Sequence, residues 1–362
     1  MRRFWNEKTR NLKPYVPGEQ PRDRKFIKLN TNENPYPPSP AVIRAAKEAV
    51  ERARLYPDPD CLILREAAAE YYNVSIDNIF AGNGSDEVLA LAFMTFFDSH
   101  KPILFPDITY TFYPVYCNLL NIPYITAALR EDFSVPVDKF MGFNGGGIVL
   151  ANPNAPTGIL LGLKEIESIV GSNPDSVVIL DEAYIDFGGK TAVPLVKKYE
   201  NLLIVQTLSK SRSLAGLRVS VAIGGLQLIE GLVKVKNSFN SYTLDHAALA
   251  AGAQAFRDVS YFNEIRDKII QTRERTAGKL REMGFTVTDS KANFLFVSHR
   301  DINAEFIFHY LRNNGILVRY FNLPRINNYL RITVGTDNEM DTLIDVLNEM
   351  LSSADNKGMT PK

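Results

Sequence analysis

The sequence predicts an α/β fold: a mostly parallel sheet covered by helices, followed by a smaller α+β C-terminal domain. Three observations carry this. From residue 102 to residue 223, short apolar runs alternate with stretches of helical periodicity. The runs at 147–150, 177–180 and 202–205 lack period-two alternation, as strands buried on both faces require. After about residue 256 the pattern changes to a long charged amphipathic stretch and shorter strands. In such a sheet, ligands are expected beyond the carboxyl ends of the strands.

A chain of 362 residues exceeds what one compact core usually holds, so a large domain and a smaller one are expected. Lys+Arg and Asp+Glu balance at 41 each, leaving no long-range field to attract nucleic acid or an anionic membrane; the expected partner is a small molecule. Cys61 and Cys117 are too few for a disulfide framework and lack metal-site spacing, which fits a reducing cytoplasm. Arg2 and Arg3 are not followed by an apolar run, so no secretory signal is expected, and no 18 uncharged apolar residues adjoin to span a membrane.

Taken in order, residues 1–38 are rich in proline and polar side chains and read as an arm packed on the rest of the molecule. Ser39-Pro40 is an N-cap followed by proline at the first helical position, and Val42, Ala46, Ala49, Val50 and Ala53 then share one face. Pro57 and Pro59 end that helix. A second helix, 62–72, leads to Ile79-Phe80, a glycine-containing turn at 81–87 and an apolar helix over 88–97. Strands at 102–105, 124–127, 147–150, 177–180, 202–205 and 219–223 alternate with helices at 111–120 and 163–170. Beyond residue 256, a helix over 261–283 should stop at Gly284. Strands at 286–288 and 294–297, a helix near 302–312, and strands at 317–319 and 329–334 follow. Thr336 and Glu339 form a capping box for a last helix from Asp337. The expected domains are 39–256 and 257–355, with a frayed polar tail beginning near Ser352 and forming residues 356–362.

Several segments carry chemistry at one sheet edge. The run 202–205 empties into Gln206-Thr207-Leu208-Ser209-Lys210-Ser211, with Arg218 beyond. Alone, Lys210 fits an exposed side chain, the usual state of lysine. An amine desolvated at a strand end would instead have a lowered pKa and attack carbonyls. Asp181 ends the run 177–180, where a buried carboxylate needs a cation or hydrogen-bond donors. Gly82-Asn83-Gly84-Ser85-Asp86-Glu87 opens a helix, either as a phosphate-binding turn or as a plain N-cap. Asn152-Pro153-Asn154-Ala155-Pro156-Thr157-Gly158 reads alone as a proline turn. Together they fit a cofactor with a phosphate and a cationic heterocycle, held by the lysine, a description that pyridoxal 5′-phosphate meets.

Those last seven residues, Asp181-Glu182-Ala183-Tyr184 and the Thr207–Arg218 segment, in that order and spacing, resemble the class I and II aminotransferases of the aspartate aminotransferase fold. Within these, Leu29-Asn30-Thr31-Asn32-Glu33-Asn34-Pro35, Arg54-Leu55-Tyr56-Pro57 and the segment Tyr329 to Gly335 are most similar to the histidinol-phosphate aminotransferase branch. The likeness covers nearly the whole chain from Tyr15.

The resemblance implies roles. Lys210 would join the cofactor and carry the proton, Asp181 would pair with the ring nitrogen, Tyr184 would hydrogen-bond the phenolic oxygen and Tyr110 would stack on the ring. Gly84, Ser85, Asp86, Thr207, Ser209 and Arg218 would surround the phosphate. Tyr56 would reach the cofactor phosphate of the other subunit, which implies a homodimer with shared active sites. Arg331 would take the substrate carboxylate, Arg319 and Tyr15 the substrate phosphate, and Asn32 and Glu33 the substrate's far end. One position departs: alanine, Ala155, stands where the family carries an asparagine contacting the ring oxygen. Either Asn154 substitutes for it, the expectation adopted, or the contact is lost. The four histidines match no catalytic or metal position.

The implied reaction converts histidinol phosphate and 2-oxoglutarate to imidazole-acetol phosphate and glutamate, reversibly, in histidine biosynthesis. An aromatic amino-acid aminotransferase and a threonine-phosphate decarboxylase of cobalamin synthesis are the alternatives, with a catalytically silent cofactor-binding regulator as a third.

Overall fold

The computed structural model of the chain describes residues 3–21 and 24–356. A short helix α1 (Glu7–Asn11) and a two-residue strand β1 (Ile27–Lys28) precede helices α2 (Pro40–Val50) and α3 (Leu62–Tyr72). Then come β2 (Ile79–Asn83), α4 (Gly84–Phe96), β3 (Ile103–Pro106), α5 (Tyr113–Leu120), β4 (Tyr124–Ala127), β5 (Gly147–Ala151), α6 (Leu163–Gly171), β6 (Val177–Asp181), β7 (Leu202–Thr207) and β8 (Val219–Gly224). Helices α7 (Leu226–Phe239), α8 (His246–Arg257) and α9 (Val259–Glu282) lead to β9 (Phe285–Val287), β10 (Phe294–His299), α10 (Ala304–Asn313), β11 (Ile316–Leu317), β12 (Arg319–Tyr320), β13 (Leu330–Thr333) and α11 (Asp337–Asn356).

The central sheet has seven strands in the order β2-β8-β7-β6-β5-β3-β4. Strand β8 runs antiparallel to both neighbours, whereas the other pairs are parallel. Residues 208–218, which join β7 to β8, are too few for a crossover helix, so β8 returns beside β7 in the opposite sense. Strands β5, β7 and β8 are buried along their whole lengths. Their registers bring Ala151, Asp181 and Val205 side by side at one edge.

Local signals act as the sequence predicts. The Ser39 hydroxyl accepts the Val42 N–H and caps α2, the Glu339 carboxylate accepts the Thr336 N–H at 2.8 Å, and α9 stops before Gly284, whose φ of +86° suits glycine. Helices α7 and α8 were not foreseen. Alanine-rich α8 lies against α2 and α3 and is buried on several sides, so no single apolar stripe announces it.

The C-terminal sheet is antiparallel, in the order β12-β13-β10-β9. The strand expected at 317–319 is divided: β11 pairs in parallel with β1, and the chain then crosses to β13 as β12. Leu29, just after β1, is buried in the same apolar cluster as Leu330, Ile332 and Leu343, so part of the arm belongs to this core. The tail expected from Ser352 is helical to Asn356, and residues 357–362 lie outside the described residues. No helix among the described residues is long and apolar enough to cross a membrane.

Candidate active site

At the carboxyl ends of β6 and β7 and the N-terminus of α4, a cavity of about 140 Å³ opens between the two sheets. Ser85, Asp86, Tyr110, Asp181, Tyr184, Thr207, Ser209, Lys210 and Arg218 line it from the large sheet, and Tyr15, Asn32, Arg319 and Arg331 from the arm and the small sheet. Residues far apart in sequence meet here because parallel strands deliver their carboxyl ends to one edge.

Lys210 sits in the turn after β7 with its amine deep in the protein and its Nζ donating to the Thr31 carbonyl at 3.1 Å. Burial, aided by the charge of Arg331, lowers its pKa to about 8. Asp181, at the end of β6, is 5% exposed. Its Oδ2 accepts from the Tyr113 hydroxyl at 3.0 Å and its Oδ1 from the Ala183 N–H at 3.2 Å. Burial outweighs those two bonds and raises its pKa to about 6.

Tyr110 donates to Asp86 Oδ1 at 2.8 Å and meets Tyr113 edge-on, with centroids 5.6 Å apart. Tyr184 packs edge-on against Phe294 at 5.0 Å. Its hydroxyl accepts from Asn32 Nδ2 at 2.9 Å.

The far end is built for an anion. Gly84 opens α4 at φ +80°, and a Cβ there would stand 2.5 Å from Arg218 Nη2, so only glycine lets that guanidinium lie over the helix N-terminus. Arg218, itself at φ +54°, reaches Asp86 Oδ2 at 3.2 Å. Thr207 Oγ1 donates to Ser209 Oγ at 3.0 Å on the same wall. On the opposite side, half-buried Arg331 donates from Nη2 to the Asn30 carbonyl at 3.1 Å while its Nε lacks a partner among the described residues, and Arg319 Nη2 donates to the Val16 carbonyl at 3.2 Å. Tyr15 stacks on Phe112 at 4.9 Å. A neutralisable amine, a buried carboxylate and an anion-binding helix end, grouped around one cavity, fit an aldehyde, a cationic ring nitrogen and a phosphate.

Four expected site residues do not line this cavity: Gly84, which lies beneath the Arg218 guanidinium, and Tyr56, Glu33 and Asn154. Tyr56 is 80% exposed and stacks on Tyr242 at 4.7 Å. Glu33 accepts from Lys28 Nζ at 2.8 Å and Thr31 Oγ1 at 2.7 Å. Asn154 donates its amide to the Ile108 carbonyl and to Thr157 Oγ1, both at 3.0 Å, and Ala155 faces the cavity instead. Conversely, Tyr113 escaped sequence reasoning. A fully buried phenol in an apolar helix requires a hydrogen-bond partner, and that requirement was the available signal.

Residues 24–347 match the family model for aminotransferase class I and II. The chain is 58% identical to the histidinol-phosphate aminotransferase of Clostridium acetobutylicum over 353 residues, which are 97% of this chain and 100% of that protein. The chain belongs to the histidinol-phosphate aminotransferase family. As a class I and II aminotransferase it also shares its fold with a Sinorhizobium meliloti family member solved with pyridoxal 5′-phosphate, at TM-score 0.88 and 22% identity, covering 97% of this chain and 98% of that one. An L-threonine-O-3-phosphate decarboxylase from Porphyromonas gingivalis matches at TM-score 0.77 and 21% identity, over 90% of this chain and 100% of that one. The fold therefore does not separate transamination from decarboxylation, and the choice falls to the site.

Proposed function

We propose that this aminotransferase binds pyridoxal 5′-phosphate in the cavity and interconverts histidinol phosphate and 2-oxoglutarate with imidazole-acetol phosphate and glutamate, in histidine biosynthesis. The observation that carries the reading is the meeting of Lys210 and Asp181 with two arginines, Arg319 and Arg331, around one cavity. When bound, the cofactor supplies an aldehyde carbon that amines take in turn and a ring that accepts electrons.

Lys210 Nζ, neutral in a good fraction near its pKa of about 8, would hold the cofactor and move the proton at the substrate Cα. Asp181 would hold the ring nitrogen protonated, Tyr184 would donate to the ring oxygen and Tyr110 would cover the ring face. Gly84, Ser85, Asp86, Thr207, Ser209 and Arg218 hold the cofactor phosphate. Arg331 orients the carboxylate of glutamate or 2-oxoglutarate. Arg319 and Tyr15 hold the phosphate of histidinol phosphate, and a donor without phosphate leaves both unused. The exposed Tyr56 completes the phosphate site of a second copy in a homodimer. Residues 39–256 form the cofactor domain and 257–355 the smaller domain bearing both arginines.

Turnover of histidinol phosphate, phenylalanine and threonine phosphate by the same preparation tests this reading. Histidinol phosphate should have the highest kcat/KM with 2-oxoglutarate as acceptor. Faster turnover of phenylalanine, or carbon dioxide release from threonine phosphate, would overturn it.

A further inference from the structure

We infer that Asn32 is a positioning residue that makes the Tyr184 hydroxyl a donor toward the cavity. The inference rests on the proposed role of Tyr184 at the cofactor's ring oxygen. Asn32 is 1% exposed and lies at φ +56°. Its N–H donates to Thr333 Oγ1 at 2.9 Å, and that hydroxyl donates back to Asn32 Oδ1 at 3.1 Å. Its carbonyl accepts from Asn293 Nδ2 at 3.0 Å. A reversed amide would set an N–H against Thr333 Oγ1 and take the acceptor from a hydroxyl proton in a residue 2% exposed, which buried polar groups resist.

Oδ1 is thereby held on Thr333, and Nδ2 must face Tyr184, whose hydroxyl it reaches at 2.9 Å. A phenol oxygen accepting there has its own proton left to give. Among the described residues no protein acceptor takes that proton, and Tyr184 lines the cavity. Among the described residues, neighbours that could duplicate it do not: the Ala155 side chain has no donor, and the Asn154 amide is engaged at Ile108 and Thr157. The small-sheet strand β13, through Thr333, thus sets the direction of a hydrogen bond on the large-sheet side.

The test follows the pH midpoint of the visible absorption of the cofactor-loaded protein. A donor to the ring oxygen stabilises negative charge on it, so losing the donor makes the neighbouring proton harder to remove and moves the midpoint up. Tyr184→Phe should raise it by about one to two pH units. Asn32→Gly, which suits the positive φ and preserves the backbone, should raise it by part of that amount. Asn32→Asp accepts the Tyr184 proton instead of giving one, and should raise it as far as Tyr184→Phe. Adding Asn32→Gly to Tyr184→Phe should give no further shift. A midpoint moved by Tyr184→Phe but unmoved by both Asn32 variants overturns the inference and leaves the role of Tyr184 standing. A midpoint unmoved by Tyr184→Phe overturns both. Thermal melts of each variant establish folding before the titration.

Discussion

Arg319 and Arg331 are direct cross-strand partners in the antiparallel pair β12–β13, and both line the cavity. Like charges placed opposite each other in a strand pair are destabilising. Burial lowers the pKa of Arg331, and the charge of Arg319 acts in the same direction. The phosphate of histidinol phosphate, or the two carboxylates of glutamate, brought to these guanidinium groups would relieve that repulsion.

Removing Arg331 should therefore stabilise the empty protein. Arg331→Met is expected to raise the unfolding free energy of the cofactor-free protein by roughly 1–3 kcal/mol in urea melts. The same substitution should raise the KM for glutamate at least about tenfold, the scale of one charge-assisted carboxylate contact. Unchanged stability would mean that Arg331 is already compensated in the empty site.

Arg319→Ala should discriminate between substrates. The KM for histidinol phosphate should rise roughly 10- to 100-fold, as loss of a phosphate-binding guanidinium predicts, while phenylalanine kinetics stay nearly constant. Equal losses on both substrates would assign Arg319 to the fold of the small sheet.

Attachment of the cofactor to empty protein should accelerate with pH. The Lys210 pKa of about 8 means that roughly a tenth of the amine is neutral at pH 7 and nearly all of it above pH 9. The rate of absorbance change on adding pyridoxal phosphate should follow that curve, and Lys210→Ala should abolish it. A midpoint near the ordinary lysine value would show the amine to be solvated.

Asp181→Asn should stabilise the cofactor-free protein in a pH-dependent way. The folded carboxyl titrates near 6 against an ordinary 3.8, so the folded state binds its proton more firmly. The destabilisation is absent below pH 4, grows as pH rises to 6, and is complete above that. At pH 7 the gain for asparagine should reach about 3 kcal/mol, the equivalent of two pKa units, and it should vanish in melts at pH 4. Affinity for the cofactor should fall.

The cofactor side of the site was legible because its residues follow strands, and parallel strands share an edge. Asp181 and Lys210 needed only the apolar runs before them. The antiparallel sense of β8 was less visible, since it depends on the length of the turn at 208–218. Contacts between distant segments left little local trace: the sequence signals that a buried Tyr113 needs a partner but not that it reaches Asp181 from another element, and Asn32 reaches Tyr184 across 152 positions. Glu33, expected at the substrate, instead closes a short-range ion pair with Lys28, an option the sequence held equally open. Asn154 adjoins the position facing the cavity, and a tight turn decides which neighbour points inward.

The pairing of Ile27 and Lys28 with Ile316 and Leu317 has a consequence for biosynthesis. The seven strands of the large sheet are all translated once Gly224 has emerged. The partner of β1 is translated roughly 15–60 s after β1 itself at ~5–20 residues per second. Thr31, whose carbonyl holds the Lys210 amine, follows β1 closely in the chain. A nascent enzyme would therefore carry a largely formed sheet edge with one wall missing, and pulse-labelled chains arrested before residue 316 should retain little cofactor.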